Sequence, residues 1–258
     1  MAPPVETVAL LLAGGIASVL GSIVGLGGGF IAVPLLRLFF HFGPAAAAAT
    51  SLVLVFANTA SASIAFLRQK RIALELVAPI ALAAIPGSVA GAVLATHVSG
   101  RIFDFLYAGL LIVIAIDVLR RAKRPPAGLT DQPRPVRRRN LLPWLGAGAL
   151  IGLVSSLFGI GGGVVAVPLL MYFTKRPLLI VTATSTAIIA LTAPVGIIVY
   201  GLAGDIEWPP ALTMAGGGLA GGLLGARLAS RISSAQLSLI LAVTMVAAAA
   251  AMVLRHGM

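Results

Sequence analysis

Cysteine is absent from the 258 residues, and charged residues are scarce, at 10% of the chain. Without cysteine the chain can form no disulfide, no thiolate metal site and no thiol-based catalytic relay. Soluble domains average about 25% charged residues, and a chain with so few cannot cover a soluble surface with polar side chains. No basic segment precedes the first apolar run, so we predict no cleaved signal peptide.

Apolar residues make up 59% of the sequence, and the mean hydropathy is +1.08. Uncharged runs of about 20 residues, long enough to cross a bilayer, recur along the whole chain. These runs are too long for membrane β-strands and lack their alternation of polar and apolar residues. The composition predicts an all-α polytopic protein of the cytoplasmic membrane, with residues 1–258 forming one integral domain.

A twelve-residue sequence occurs twice in the chain. GLGGGFIAVPLL at residues 25–36 returns as GIGGGVVAVPLL at residues 159–170, 134 residues later, with nine positions identical. The same offset relates Gly14 to Gly148, Ser22 to Ser156, Thr50-Ser51 to Thr184-Ser185, Gly87 to Gly221 and Arg121 to Arg255. We therefore predict an internal duplication, with copies at about 4–121 and 138–255. The residues between them, about 121–139, are rich in proline and arginine and predict a basic cytoplasmic linker.

Each copy contains five apolar blocks that we expect to be helical. The blocks cover about 6–24, 29–42, 45–67, 73–95 and 102–120 in the first copy, and 140–158, 163–174, 177–200, 209–229 and 235–254 in the second. A single helix over residues 5–42 would be about 57 Å long, against a hydrocarbon core of about 30 Å. The three glycines, with Pro34 in the first copy and Pro168 in the second, are predicted to break the helix.

Two geometries are open for the broken segment. Either the chain continues across the membrane and the copies are parallel, or it turns back as a glycine-tipped hairpin, three further spans follow, and the copies are inverted. The hairpin places fifteen of the eighteen basic residues inside, and the parallel arrangement places twelve there. Because cytoplasmic loops carry an excess of Lys and Arg, the hairpin is favoured, and the net charge of +11 reflects this bias.

Helix breaks at corresponding places of two repeats are typical of the substrate site of a transporter. Irregular backbone within a membrane needs protein or a water-filled cavity to satisfy its polar groups. A helix that starts at such a break directs its free N–H groups and the positive end of its dipole at an anion. The candidate substrate-binding glycines are Gly27, Gly28, Gly29, Gly161, Gly162 and Gly163. The alternative is that these glycines serve only close helix packing.

The doubled G-x-G-G-G-x-x-x-V-P-x-L pattern, at residues 25–36 and 159–170, resembles that of the TauE/SafE family of sulfite exporters. The resemblance extends to the duplicated multi-span layout and to nearly the whole chain. It implies a secondary carrier of small sulfur-containing anions such as sulfite, sulfonates or sulfoacetate. It supports a small anion more strongly than it supports sulfite itself.

Polar side chains near the breaks are further candidates for substrate binding. They are Thr50, Ser51, Thr184, Ser185 and Asn58. The hydroxyl groups could donate to sulfonate oxygens, or they could bond back to carbonyls of their own helices. The Asn58 amide lies in the middle of a span and needs a partner there, either the substrate or a neighbouring helix.

Three charged residues are candidates for gating or coupling. Arg37 and Arg227 lie near span ends, where they either attract an anion at a gate or extend to the membrane interface. Asp117 is a candidate for proton coupling, with an ion pair to a basic side chain as the alternative. His41, His97 and His256 lack the spacing of metal ligands, so we predict no metal and no cofactor. Trp144 and Trp208 are expected to anchor the protein at the interface.

These observations predict secondary transport of a small anion by alternating access. A passive anion channel, or a carrier of a different small organic anion, is the alternative. An enzyme is not expected, because titratable groups are nearly absent from the spans. The expected partners are the anion, the lipid bilayer and protons as a coupling ion, whereas no basic soluble module is present that could bind nucleic acid.

Overall fold

The computed structural model describes residues 3–122, 141–174, 176–229 and 234–255. Over these residues the chain forms ten α-helices and no strand. The helices are α1 (Pro3–Val24), α2 (Gly29–Leu38), α3 (Pro44–Arg68), α4 (Leu74–His97), α5 (Gly100–Ala122), α6 (Leu141–Phe158), α7 (Gly163–Thr174), α8 (Leu178–Ala203), α9 (Trp208–Leu228) and α10 (Ser234–Leu254). Most of the predicted basic linker, Lys175, Arg231 and His256 lie outside the described residues.

Five of the described helices are long and apolar enough to cross a membrane. These spans are Val5–Val24, Pro44–Arg68, Leu74–His97, Gly100–Arg120 and Leu178–Ala203. Shorter apolar helices cover Gly29–Phe39, Trp144–Phe158, Gly163–Thr174 and Ala242–Leu254. The prediction of an all-α polytopic membrane protein is therefore confirmed.

The helices of the two halves follow the same order and spacing. α2, α3, α4 and α5 begin 134 residues before α7, α8, α9 and α10, respectively. α1 and α6 both end where a glycine-rich turn begins, at Val24 and Phe158. This spacing is what an internal duplication predicts.

The long helices α3 and α8 pack against each other near the centre of the bundle, and they run antiparallel. Near the start of α3, Leu52 lies against Gly196, close to the end of α8. Towards the other end of α3, Ala62 and Phe66 form one buried cluster with Ala183, near the start of α8. α3 and α8, which occupy corresponding places in the two halves, thus point in opposite directions.

Glycines allow the outer helices to approach closely. A methyl group added at Gly217 of α9 would overlap the carbonyl oxygen of Leu11 in α1. The same change at Gly87 of α4 would overlap the carbonyl oxygen of Ala149 in α6. Small residues at such crossings are the usual means of packing helices in lipid, where burial of apolar surface gives no driving force between them.

Candidate functional site: two glycine turns in contact

The first glycine turn, residues 25–28, reverses the chain between α1 and α2. Gly25, Gly27 and Gly28 have φ angles of 80°, 85° and 83°. This left-handed conformation is energetically unfavourable for residues that carry a Cβ atom. Gly28 lies beside α1, because a methyl group on it would come within 2.8 Å of the Ala17 carbonyl oxygen. An unbroken helix would separate residues 17 and 28 by about 16 Å along its axis. The chain therefore turns back here.

The second glycine turn, residues 159–162, repeats this geometry between α6 and α7. Gly159, Gly161 and Gly162 have φ angles of 67°, 95° and 69°. A methyl group on Gly162 would come within 2.6 Å of the carbonyl oxygen of Ile151, which is the residue equivalent to Ala17. The same backbone conformation is thus built twice.

The two glycine turns touch each other inside the bundle. A methyl group at Gly29 would overlap the carbonyl oxygen of Gly159, and one at Gly163 would overlap the carbonyl oxygen of Gly25. Val55, midway along α3, lies against both turns. Residues 25–29 and 159–163 are all buried. The structure therefore brings together the six glycines predicted as site residues.

The glycines and prolines of the repeated sequence do not all have the structural roles that we expected. Gly29 and Gly163 are the first residues of α2 and α7, while Gly25 and Gly159, which were not predicted, have left-handed turn conformations. Pro34 and Pro168 were expected to break the helices, but they lie inside α2 and α7. A proline removes only one N–H donor from a helix, and surrounding helices can compensate for that loss in membrane proteins. The left-handed glycines make the break.

Backbone N–H groups at the two turns have no backbone acceptor among the described residues. No carbonyl there accepts a hydrogen bond from the amides of residues 27–30 or of residues 161–164. Helical hydrogen bonds resume with Ile31 and Val165, which donate to the carbonyls of Gly28 and Gly162 at 3.2 and 3.0 Å. The free amides belong to the N-termini of α2 and α7, where the partial charge is positive. Both helix ends thus offer donors suited to an anion.

The serine hydroxyls near the turns hold the turns in place. Ser51 of α3 donates to the carbonyl oxygen of Gly159 at 2.9 Å, and Ser185 of α8 donates to that of Gly25 at 3.2 Å. Both side chains are fully buried. Each copy therefore uses its serine to fix the glycine turn of the other copy.

The neighbouring threonines contact the residues that directly precede α9 and α4. The N–H of Glu207 donates to Thr50 Oγ1 at 3.3 Å, and the N–H of Ala73 donates to Thr184 Oγ1 at 3.1 Å. The hydroxyl groups of Thr50 and Thr184 thus both have hydrogen-bond partners within the protein. In the loop that contains Glu207, burial raises the pKa of the Asp205 carboxyl.

Asn58 is buried beside the first turn with half of its amide unused. Its Oδ1 accepts a hydrogen bond from Ser22 Oγ at 2.6 Å. Its Nδ2 is buried, with no hydrogen-bond partner among the described residues. Ser155 and Ser156, just before the second turn, also carry buried hydroxyls without a partner there. Sequence reasoning missed these two serines as candidates, although Ser156 is the equivalent of Ser22.

Arg37, at the end of α2, is buried in an ion pair rather than extended to the interface. Its Nε and Nη2 donate to the two carboxylate oxygens of Asp104 on α5 at 2.8 and 2.6 Å. The same guanidinium donates to the carbonyl oxygen of Phe42 at 2.6 Å. The pair joins the end of α2 to the start of α5. Asp104 was missed, although a carboxylate inside an apolar run is an available signal.

The remaining charged candidates lie away from the turns. The Tyr107 hydroxyl of α5 donates to the Gly29 carbonyl at 3.2 Å, so Asp117 is about 15 Å further along that helix. Arg227 is exposed in the last turn of α9. Neither is part of the site formed by the turns.

Among the described residues, the histidines and tryptophans also lie outside the site. Within the described ranges no group of three acidic or histidine side chains could hold a metal ion. His97 is exposed and bonds within its own helix. Trp144 packs against Phe173 at 5.1 Å between ring centroids, and Trp208 is half exposed.

In a comparison with known protein families, the sequence matches the sulfite exporter TauE/SafE family over residues 10–252, nearly the whole chain. The chain belongs to the TauE/SafE family. It is therefore a multi-pass protein of the cell membrane and a member of a family of membrane transporters.

Relatives of this TauE/SafE protein occur in bacteria and archaea. The chain is 27% identical to YunE of Bacillus subtilis, over 81% of this chain and 84% of the relative. It is 30% identical to a protein of Methanocaldococcus jannaschii, over 80% of each chain. Both are named probable membrane transporter proteins. No solved structure gives a significant match.

Proposed function

We propose that this TauE/SafE protein is a secondary transporter of a small anion, sulfite or an organosulfonate such as sulfoacetate. The observation that carries the proposal is the contact between two buried glycine turns. The amides at residues 27–30 and 161–164 of these turns have no backbone acceptor among the described residues. A tetrahedral or pyramidal oxyanion accepts several hydrogen bonds at once, and two converging helix N-termini supply the donors together with a positive partial charge. No compensating protein charge is then needed at the site.

The buried polar side chains beside the turns support an anion rather than a cation. Asn58 Nδ2 is a donor only, and the hydroxyls of Ser155 and Ser156 can donate as well. Buried donors without partners are costly in a membrane. A bound oxyanion would relieve that cost. A cation would need a carboxylate partner, but the most buried carboxylate among the described residues, that of Asp104, is already paired with Arg37.

The proposed mechanism is alternating access about the paired turns. The antiparallel course of α3 and α8, and the reversal of the chain at each glycine turn, support two inverted copies that enter the membrane from opposite faces. The negative potential inside a cell favours an anion leaving it, in agreement with the export that the family name states. Uptake would require a coupling ion, for which we propose protons.

The inverted topology can be tested with single cysteines, because the chain contains none of its own. We expect Glu207→Cys to react with a membrane-impermeant maleimide from outside intact cells. Lys70→Cys should react only after permeabilisation. Reaction of both variants from the same side would contradict the inverted arrangement.

Transport itself is tested with the purified protein in liposomes. We expect saturable uptake of at least one of labelled sulfite and sulfoacetate, above that of sulfate and acetate, and a change in rate when a pH gradient is imposed. Flux that does not saturate and is faster than a carrier allows would instead indicate a passive anion channel. Absence of flux for all four anions would contradict the proposal.

A further inference from the structure

A small cavity lies between the ends of α3 and α9, far from the glycine turns. It has a volume of about 170 Å³ and is lined by Ile64, Ala65, Arg68, Gln69, Leu223 and Arg227, which we call the basic groove. Arg68 and Arg227 come from different helices and are both exposed. Gln69 joins the helices, because its Nε2 donates to the Ala226 carbonyl oxygen at 3.4 Å. Two cationic side chains thus stand at the rim of one cavity.

The equivalent positions in the other copy carry no charge. Residues 134 positions away are Ile198, Val199, Leu202, Ala203, Val89 and Val93. These lie at the ends of α8 and α4, and all are apolar. The fold therefore builds this crossing without arginine. The two arginines of the basic groove are therefore present in one copy of the repeat and absent from the equivalent positions of the other.

The surroundings place the basic groove at a membrane interface. Ile64 is 51% exposed on the bundle surface, where lipid chains would cover it. Lys70 and Arg71 follow directly in the loop after α3, and Arg176, which is paired with Glu75, precedes α8 at the same end. Basic pockets between helices on the cytoplasmic side of a membrane bind anionic lipid headgroups. An apolar wall below a basic rim matches a phospholipid, whose acyl chains and phosphate are covalently joined.

We infer that the basic groove binds one anionic phospholipid of the cytoplasmic leaflet. The phosphate lies between Arg68 and Arg227, and an acyl chain runs along Ile64 and Leu223. Gln69 Oε1 is buried and has no hydrogen-bond partner among the described residues, so it can accept from a headgroup hydroxyl. Phosphatidylglycerol, which carries both the negative phosphate and free hydroxyls, is the matching probe. This inference is independent of the transported substrate.

Native mass spectrometry of the full-length protein in detergent tests the inference. We expect one phosphatidylglycerol to be retained with saturable affinity, and phosphatidylcholine of the same chain length to bind at least about tenfold more weakly. The variant with Arg68→Gln and Arg227→Gln should lose affinity for phosphatidylglycerol by at least about tenfold. Arg101→Gln, an exposed arginine on α5, is the matched control and should bind as the wild type does.

A further arm separates a lipid headgroup from a free anion. Millimolar inorganic phosphate should not displace the retained phosphatidylglycerol, because it has no acyl chain to occupy the apolar wall. Displacement by inorganic phosphate would identify a site for soluble anions and overturn the inference. So would equal binding of phosphatidylglycerol and phosphatidylcholine, or unchanged binding by the double variant.

Discussion

The first and second glycine turns share their backbone but differ in the side chains around them. Each turn has three left-handed glycines, and each is held by a serine of the other copy. Beside the first turn stand Ser22 and Asn58 in a hydrogen bond. Their equivalents are Ser156 and Thr192, and Thr192 instead donates to the carbonyl of Ile189 in its own helix.

The ends of the two short helices differ more strongly. Arg37 at the end of α2 is buried against Asp104, whereas the equivalent residue of α7 is Met171. A buried ion pair is weak evidence for stability, since desolvation of two charges opposes their attraction. The two copies thus share the backbone of the glycine turns, on which the proposed anion site depends, and differ at the ends of their short helices.

The largest expected effect comes from breaking the ion pair. Asp104→Leu leaves the Arg37 guanidinium buried without its carboxylate and should lower the free energy of unfolding by about 3–5 kcal/mol. Thermal and chemical unfolding in detergent measure the change. Met171→Leu, at the position equivalent to Arg37, is the control and should cost less than about 1.5 kcal/mol.

A double variant sharpens this test. Arg37→Met combined with Asp104→Leu removes both charges and should recover most of the stability lost by Asp104→Leu alone. If the loss of unfolding free energy in the double variant equals the sum of the losses in the two single variants, Arg37 and Asp104 do not stabilise the protein as a pair.

The next largest effect concerns the contact between the turns. Gly29→Ala and Gly163→Ala each place a methyl group on a carbonyl oxygen of the opposite turn, and each should lower the free energy of unfolding by about 1–3 kcal/mol. The symmetry predicts similar losses. Gly109→Ala adds the same methyl group in open space on α5 and should be neutral or stabilising by up to about 1 kcal/mol. Equal stability of all three variants would show that the turns do not touch.

A smaller effect is expected from the serines that hold the turns. Ser51→Ala and Ser185→Ala each remove one hydrogen bond to a turn carbonyl and should cost about 0.6–1.5 kcal/mol. Thr213→Ala is the control, because that hydroxyl donates to Pro209 in its own helix. A loss for only one of the two serine variants would contradict the equivalence of the turns.

The smallest change in stability, but a selective change in transport, is expected at Asn58. Asn58→Thr copies the residue of the second half. It removes a buried donor that has no partner among the described residues, and with it the Oδ1 that accepts from Ser22 Oγ. Stability should change by less than about 1 kcal/mol, while the initial rate of anion uptake should fall several-fold. Thr192→Ser, which keeps the hydroxyl of the second copy, should leave uptake unchanged. Normal uptake by Asn58→Thr would remove Asn58 from the proposed site.

Much of the fold was predictable from the sequence, because the lengths of the hydrophobic runs and the internal repeat together indicate where helices begin and end. The predicted blocks agree with the observed helix ends to within about four residues. The position of the chain reversal was also predictable, since three glycines interrupt a segment too long for one span. The expectation that prolines would break the helices was wrong, because Pro34 and Pro168 lie within regular helix.

The side chains of the site were less predictable. The pattern alone could not show that Ser51 and Thr50 would bond to the backbone of a distant turn and loop, because partners at long sequence separation depend on how helices pack. The pair between Arg37 and Asp104 joins residues 67 positions apart, and the repeat offset does not relate them. Symmetry in the sequence therefore located the turns but not the features present in only one copy.

The most direct measurement of the central claim is the initial rate of uptake of the preferred sulfur oxyanion by liposomes containing three valine variants. Gly28→Val and Gly162→Val alter left-handed glycines in the two turns, and Gly109→Val adds the same side chain in open space. We predict that the first two variants lose uptake alike while the third retains it. If correctly folded Gly28→Val or Gly162→Val protein transports at the wild-type rate, the paired turns are not the anion site.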